Sequence, residues 1–222
     1  MNRIAGIFFL RDKNKQIFTV RQFMDNCARI INYLKKFVEV TDEEARLFSS
    51  YFHENQIRKG QYIIQPDFTA RHRNYVLQGA LRAFVVDEAG QEHTISFAID
   101  DWWISDVNSY IYQKPATMFV VALENSRILQ IEFEKEKELK SLNHKYETFF
   151  RVMAERGMAF HQRRFISNLT LSAEKRYDDF LEKYPQVAQR MPQYALASYL
   201  GMTTQFLSRI RKRKAKSETG FT

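Results

Sequence analysis

Apolar residues at Cys27, Ile30, Ile31, Leu34, Phe37 and Val38 recur at spacings of three and four, which predicts helix within residues 25–50. Thr41, followed by Asp42, Glu43 and Glu44, has the form of an N-cap with an acidic first turn, so a short helix should run from there through Phe48. From Phe52 to Glu132 the rhythm changes to short alternating or apolar runs. They are Tyr62–Gln65, Tyr75–Gln78, Leu81–Asp87, His93–Ile99, Phe119–Leu123 and Arg127–Phe133. Gly60, Gly79 and Gly90, three of the chain's seven glycines, fall between such runs, where tight reversals need positive φ. Many short strands at near-regular spacing predict an all-β barrel or jelly roll, although an irregular α/β domain carries the same periodicity.

Helical spacing returns over residues 134–170. Glu134–Leu142 is short and charged; after Asn143 an apolar stripe runs through Tyr146, Phe149, Phe150, Met153, Phe160 and Ile166, broken only by Gly157. A helix of ~25 residues spans nearly ~40 Å, longer than a small domain needs. Such a helix crosses between domains or pairs with its twin, and Phe149, Met153 and Phe160 are the expected seam; the alternative is a helix packed on its own barrel. Ser172–Tyr184 should form a further helix that Pro185 ends.

The window from Gln193 to Lys212 carries the most specific pattern. A helix-turn-helix needs a small residue where its two helices cross, a turn residue that tolerates a left-handed conformation, and an apolar clamp. Ala197 supplies the first, Gly201 the second, and Leu196, Leu200, Met202, Leu207 and Ile210 the third. Pro192 suits the first position of the first helix and Thr203 the cap of the second. With Leu207 and Ile210 inward, the outward face of the second helix offers Thr204, Gln205, Ser208, Arg209, Arg211 and Lys212 as candidate DNA-binding residues. Gln pairs with adenine and Arg with guanine through two hydrogen bonds each, whereas hydroxyls and lysines more often position on phosphates.

Charge points the same way. Among 222 residues, 34 Lys and Arg stand against 26 Asp and Glu, a formal net charge of +8. From Lys183 to Ser217 there are eight Lys or Arg and no acid, the electrostatic footprint of a nucleic-acid-binding segment. One cysteine, Cys27, excludes an internal disulfide, a Cys-rich zinc site and an iron–sulfur cluster. No run approaches the ~18 apolar residues of a membrane span. Ile4–Leu10 is apolar but runs into Arg11, Asp12, Lys13 and Lys15 without a cleavage site, so the expectation is a cytoplasmic protein with a poorly ordered extension over residues 1–23. Met24 is an alternative start.

A β-barrel, a long helix and a C-terminal helix-turn-helix, in that order, resemble the Crp/Fnr transcription regulators. The resemblance spans roughly residues 37–213. It is carried by Gln78-Gly79-Ala80-Leu81-Arg82 and Trp103-Ile104-Ser105-Asp106 in the barrel. In the C-terminal part it is carried by Ala173-Glu174-Lys175-Arg176-Tyr177, Ala197-Ser198-Tyr199-Leu200-Gly201 and Leu207-Ser208-Arg209-Ile210-Arg211. It implies an α+β chain in four parts: an extension (1–23), a cyclic-nucleotide-binding-like β-roll with flanking helices (24–133), a connecting and dimerisation helix (134–170) and a helix-turn-helix domain (171–222). It further implies a homodimer on a two-fold symmetric operator, with double-stranded DNA and RNA polymerase as partners. The family often adds a β-hairpin wing; only Lys214–Thr222 remains for one here.

In cyclic-nucleotide-binding members a Gly-Glu pair holds the ribose and an Arg ten residues later neutralises the phosphate. Matched to that motif, Ser105 stands for the glycine, Asp106 for the glutamate and Ala116, beside Thr117, for the arginine. With the phosphate clamp missing, the expected effector is not cyclic AMP but an unknown small molecule, in a pocket of Trp103, Ser105, Asp106, Ala116 and Thr117. Arg82, Lys114 and Arg127 are the cations that could be recruited instead. Trp102 and Trp103 suit core packing, or an aromatic ligand. The five histidines show no His-x-His or Glu-x-x-His pattern within residues 52–133, so no metal site, catalytic residue or cofactor is expected. The rival reading is a small-molecule-binding or enzymatic barrel whose basic tail is incidental.

Overall fold

The computed structural model describes residues 27–219. The expected extension over residues 1–23 lies outside them. Helix α1 (27–34) is followed by α2 (Asp42–Ser50), whose start matches the expectation: Thr41 and Glu44 form a reciprocal capping box. Eight strands follow: β1 (His53–Ile57), β2 (Tyr62–Ile64), β3 (His72–Gln78), β4 (Leu81–Val86), β5 (Glu92–Ala98), β6 (Trp103–Ile104), β7 (Phe119–Ala122) and β8 (Ser126–Glu132). A short helix α3 (Val107–Tyr112), not legible in the sequence, interrupts them between β6 and β7.

The strands form two antiparallel four-stranded sheets, ordered β1-β8-β3-β6 and β2-β7-β4-β5. Ile57, Val76, Leu81, Ala83, Ile104, Val120 and Ile128 are buried in one cluster that spans both sheets and fills the roll. Period-2 alternation sends the neighbours of these residues to the opposite faces. Tyr75, Leu77, Leu129 and Ile131 thus join a second cluster with Leu34, Phe48 and Phe149. Gly60, Gly79 and Gly90 all take positive φ. At Gly79 the requirement is double: φ is +117°, and an added Cβ would stand 2.1 Å from Ser126 Oγ.

Helix α4 (Phe133–Leu142) and the 27-residue α5 (His144–Thr170) meet at Asn143, whose side chain caps α5. Helix α5 is amphipathic in two directions. Tyr146, Phe149 and Phe150 are buried against the roll, and Met153 accepts a hydrogen bond from Tyr33. The face opposite carries Met158, Phe165 and Leu169, exposed by 74%, 65% and 70%. The expected seam of Phe149, Met153 and Phe160 is therefore corrected. Phe149 has no exposed surface, Met153 packs on the same cluster, and Phe160 sits against Tyr184. Being apolar, these positions fit a partner as well as a roll, but the chain's own roll and C-terminal helices cover them.

Glu44 ties α2 to the start of α5, accepting from Thr41 N–H, Asn143 Nδ2 and Lys145 Nζ. The lysine and the amide hold its carboxyl down at about 2, from 4.5. A depressed carboxyl stabilises the fold fully above its unfolded value and loses that contribution as pH falls through the folded one. Glu44→Gln should therefore lower the melting temperature at neutral pH and flatten the loss of stability between pH 4.5 and about 2, as read by thermal melts across that range. An unchanged acid profile would mean that Glu44 has no part in joining α2 to α5.

Helices α6 (Ala173–Lys183), α7 (Pro185–Arg190), α8 (Gln193–Tyr199) and α9 (Thr204–Thr219) complete the described residues. Ser172 caps α6. Pro185 ends α6 and opens α7 at once, since a proline lacks only an N–H that the first helical turn leaves unpaired anyway. No described helix is long and apolar enough to cross a membrane.

Candidate functional site

Helices α8 and α9 are joined by a tight turn. Gly201 has φ +67°, and Met202 N–H bonds the Ala197 carbonyl at 3.0 Å. Ala197 is 1% exposed, which lets the two helices approach; Leu196, Leu200, Leu207 and Ile210 are buried around it, with Met202 partly so. Thr203 Oγ1 accepts from Phe206 N–H at 3.2 Å and caps α9. Pro192 stands one position earlier than expected, as the residue before α8.

The outward face of α9 divides into two groups. Gln205, Arg209 and Lys212 are exposed at spacings of four and three and so share one side of the helix; Thr204 and Ser208 flank them, half-buried. Arg209 and Lys212 make no ion pair among the described residues. Arg211 is set apart from them: its Nε donates to Tyr177 Oη at 3.0 Å and its guanidinium lies over that ring. Arg213 pairs with Glu174, and Lys214 with Asp178 at 2.5 Å. The acid-free run in the sequence is thus partly neutralised by α6, while Arg209 and Lys212 on the outward face of α9 keep their charge unpaired among the described residues. Helix α9 continues to Thr219, so no wing strand follows it among the described residues.

This unit is docked on the roll. Strand β5 is the edge of its sheet, and α8 covers that edge. Ser198 Oγ accepts from Thr94 N–H at 2.8 Å and donates to the Glu92 carbonyl at 3.0 Å. Arg164 of α5 donates to the carbonyls of Thr94, Ile95 and Tyr199, joining strand, long helix and helix-turn-helix through one guanidinium. Arg190 chelates Glu124 with Nε and Nη2 and reaches Asp100 with Nη1. An edge strand left open would offer unpaired backbone groups to other chains, and the docking removes that hazard. In the sequence nothing distinguishes Arg164 and Arg190, which bridge, from surface arginines.

The residues expected to form an effector pocket fall into two places. Asp106 is fully buried; Oδ1 accepts from Ser109 N–H at 3.0 Å and Oδ2 from Thr117 N–H at 2.9 Å. It caps α3 and pins the 116–117 segment with one carboxylate. Ser105 Oγ donates to the His72 carbonyl, and Ala116, 5% exposed, bonds the Phe68 carbonyl through its N–H. Trp103 leaves β6 on the other face, among Tyr33, Phe52, Tyr75 and Phe149. Trp102 meets Tyr184 edge-on at the junction with α6. Among the described residues, none of Arg82, Lys114 and Arg127 bonds Asp106. Arg82 is buried outside the roll's interior, bonded to Thr94 and Glu92 and lying over Phe84 and Tyr194; Arg127 pairs with Glu54 at 2.7 Å; Lys114 is exposed. No group of His, Cys, Asp and Glu among the described residues could hold a metal.

A β-roll of this topology, with its strands interrupted by α3 and followed by a long helix, defines a cyclic-nucleotide-binding-type domain, and residues 54–141 match the family of cyclic nucleotide-binding domains. Over three quarters or more of its length the chain shares its fold with solved transcription regulators. FixK2 from Bradyrhizobium japonicum superposes with a TM-score of 0.68 at 15% identity, over 75% of this chain and 86% of that one. The c-di-GMP-responsive global regulator CLP from Xanthomonas campestris gives 0.62 at 12% identity, over 80% and 93%. A putative crp/fnr-family regulator from Eubacterium rectale gives 0.61 at 16%, over 80% and 85%. No curated protein sequence matches the chain.

Proposed function

We propose that this protein is a sequence-specific DNA-binding transcription regulator that acts as a homodimer on a two-fold symmetric operator and through RNA polymerase. The observation that carries the reading is the face of α9. Gln205, Arg209 and Lys212 stand on one side of a helix-turn-helix second helix, and the two cations are exposed and make no ion pair among the described residues. The fold shared with FixK2 and CLP supports it, since CLP is a regulator of gene expression.

In this reading Gln205 and Arg209 read base edges, and Lys212, Thr204 and Ser208 position on phosphates; Arg211 braces α9 on α6. Arg209→Ala should cost roughly 1–3 kcal/mol on the preferred site and relax base choice at one position per half-site. Lys212→Ala should weaken all sequences alike and flatten the salt slope by about one unit. Fluorescence anisotropy on a selected site and on random DNA, across salt, distinguishes the two. Equal behaviour of Arg209→Ala and the parent on both DNAs would remove Arg209 from base reading.

The dimer seam in this reading is the exposed stripe of α5. Met158, Phe165 and Leu169, with Gln162 between them, recur at spacings of four and three, the repeat of a two-stranded coiled coil. The opposite face is occupied by the chain's own roll, so the two roles do not compete.

The effector pocket is degenerate for cyclic nucleotides. A bound phosphate needs cations and free backbone amides, because a buried anion without them is costly. Here the Asp106 carboxylate already takes the Ser109 and Thr117 amides, and Ala116 offers no charge. The chain's own anion stands where a ligand's would compete. Isothermal titration with cyclic AMP and cyclic GMP should show no micromolar binding; micromolar binding by either, lost in Asp106→Asn, would refute this.

A further inference from the structure

Where α5 ends, it meets α6 and α8 around a half-open cavity of about 300 Å3. That volume lies at the small end of ligand sites, roughly 300–1,000 Å3. The cavity is distinct from the degenerate pocket of the roll. Its lining combines two kinds of residue. Arg163, Arg164, Arg176 and Lys183 bring four cations, against the single carboxylate of Asp179, and Asp179 is already paired with Lys175 at 2.9 Å. Phe160 and Tyr184, rings 6.3 Å apart and near perpendicular, form an aromatic corner beside them.

The cations are left without anions. Arg176 donates to the carbonyls of Leu200 at 2.9 Å and Leu171 at 2.6 Å, and Arg164 donates to three backbone carbonyls. Arg164 Nε is buried and meets no acceptor among the described residues. Neither guanidinium meets a carboxylate there, and Arg163 and Lys183 are exposed at the rim. Neutral carbonyls hold these groups in place but leave their charge uncompensated. A carboxylate or phosphate entering the cavity would form charge-assisted bonds that the fold itself does not supply. On α5 the cations and the ring that line the cavity, Phe160, Arg163 and Arg164, face away from the Met158–Leu169 stripe, while Ile166 and Thr170 form its edge nearest that stripe.

We propose that this cavity binds a small aromatic anion, its ring against Phe160 and Tyr184 and its carboxylate or phosphate on the Arg163, Arg176 and Lys183 cluster. A ligand there touches the last turns of α5 and, at Tyr199 and Leu200, the end of α8. It thereby fixes the angle between the long helix and the helix-turn-helix unit. That consequence rests on the DNA-binding reading; the binding itself does not.

The test is a fluorescence titration of the full chain with 8-anilinonaphthalene-1-sulfonate, an aromatic anion that brightens in a dry site. Phenyl phosphate, benzoate, benzyl alcohol and inorganic phosphate serve as competitors. The expected result is displacement by phenyl phosphate, by benzoate or by both, the pattern telling phosphate esters from carboxylates, and none at equal concentration by benzyl alcohol or inorganic phosphate. The double variant Arg163→Gln/Lys183→Gln changes only exposed side chains and should bind the dye about fivefold more weakly. Unchanged dye affinity in that variant, or displacement by benzyl alcohol or inorganic phosphate as strong as by the aromatic anions, would overturn the proposal. If displacement follows the expected pattern while the protein fails to bind DNA, the DNA reading falls and the cavity assignment stands.

Discussion

Phe165→Glu should convert the protein from dimer to monomer and reduce its affinity for a two-fold site by at least ~100-fold. Phe165 is 65% exposed in the single chain and lies in the middle of the Met158–Leu169 stripe. In a two-stranded pairing of α5, each glutamate would be buried opposite its twin, two like charges withdrawn from water. Leaving one charge unpaired in an interface costs several kcal/mol, and about 2.7 kcal/mol already corresponds to a hundredfold change. The chain's own core should be untouched, because the residues that bind α5 to the roll, Tyr146, Phe149 and Phe150, lie on the other face. Light scattering should thus give monomer while the melting temperature at high dilution stays near the parent's. A variant that remains dimeric with unaltered DNA affinity would place the subunit contact elsewhere.

The second large effect concerns the roll. Gly79→Ala should lower stability by about 3 kcal/mol or more, or roughly 6–12 °C in melting temperature for a chain of this size. Two costs add. The φ of +117° is a conformation L residues rarely adopt, and the new methyl would meet Ser126 Oγ, Cβ and Cα within 2.1 to 2.7 Å. Ser126 starts β8, which pairs with both β1 and β3, so it cannot retreat without disturbing two ladders. Gly79 N–H also bonds Asp100, which receives Arg190 from the C-terminal helices. The strain should therefore loosen the docking of that unit as well, seen as faster proteolysis between α5 and α6. Thermal melts of Gly79→Ala alongside Gly90→Ala check the claim. Gly90 takes positive φ too, but an added Cβ there meets nothing within 4 Å, so its loss should be the smaller. Equal shifts would mean that the clash with Ser126 is relieved at no cost.

The parts of this architecture that were legible in the sequence are those where a local rule has one solution. Thr41 with Glu44, Ser172, Gly201 and Thr203 each occupy the cap or turn that their chemistry suits, because these motifs close within a few residues. The apolar clamp of Leu196, Leu200, Leu207 and Ile210 was readable for the same reason. What failed was partner choice over distance. The stripe of Phe149, Met153 and Phe160 was correctly apolar, yet hydrophobic spacing does not say whether a roll or a second copy covers it. The exposed stripe lies on the other side of the same helix, and Gln162 breaks its apolar run. Trp103 and Asp106 belong to one family-like motif, but the pleat sends the Trp103 ring to the face away from Asp106. The acid-free run of α9 hid its neutralisation, since Glu174 and Asp178 approach from a separate helix. Arg164 and Arg176 illustrate the same limit: their carbonyl partners are distant in the chain or set by a turn.

The central claim, a dimer reading DNA through Gln205 and Arg209, is tested most directly by selecting bound sequences from a random duplex library with the purified full chain. The prediction is an enriched inverted repeat whose half-sites lie one helical turn apart, about 34 Å, or a multiple of it. Arg209→Ala should lose the preference at one position in each half. Recovery of no motif, or of an asymmetric site indifferent to Arg209→Ala, would contradict it.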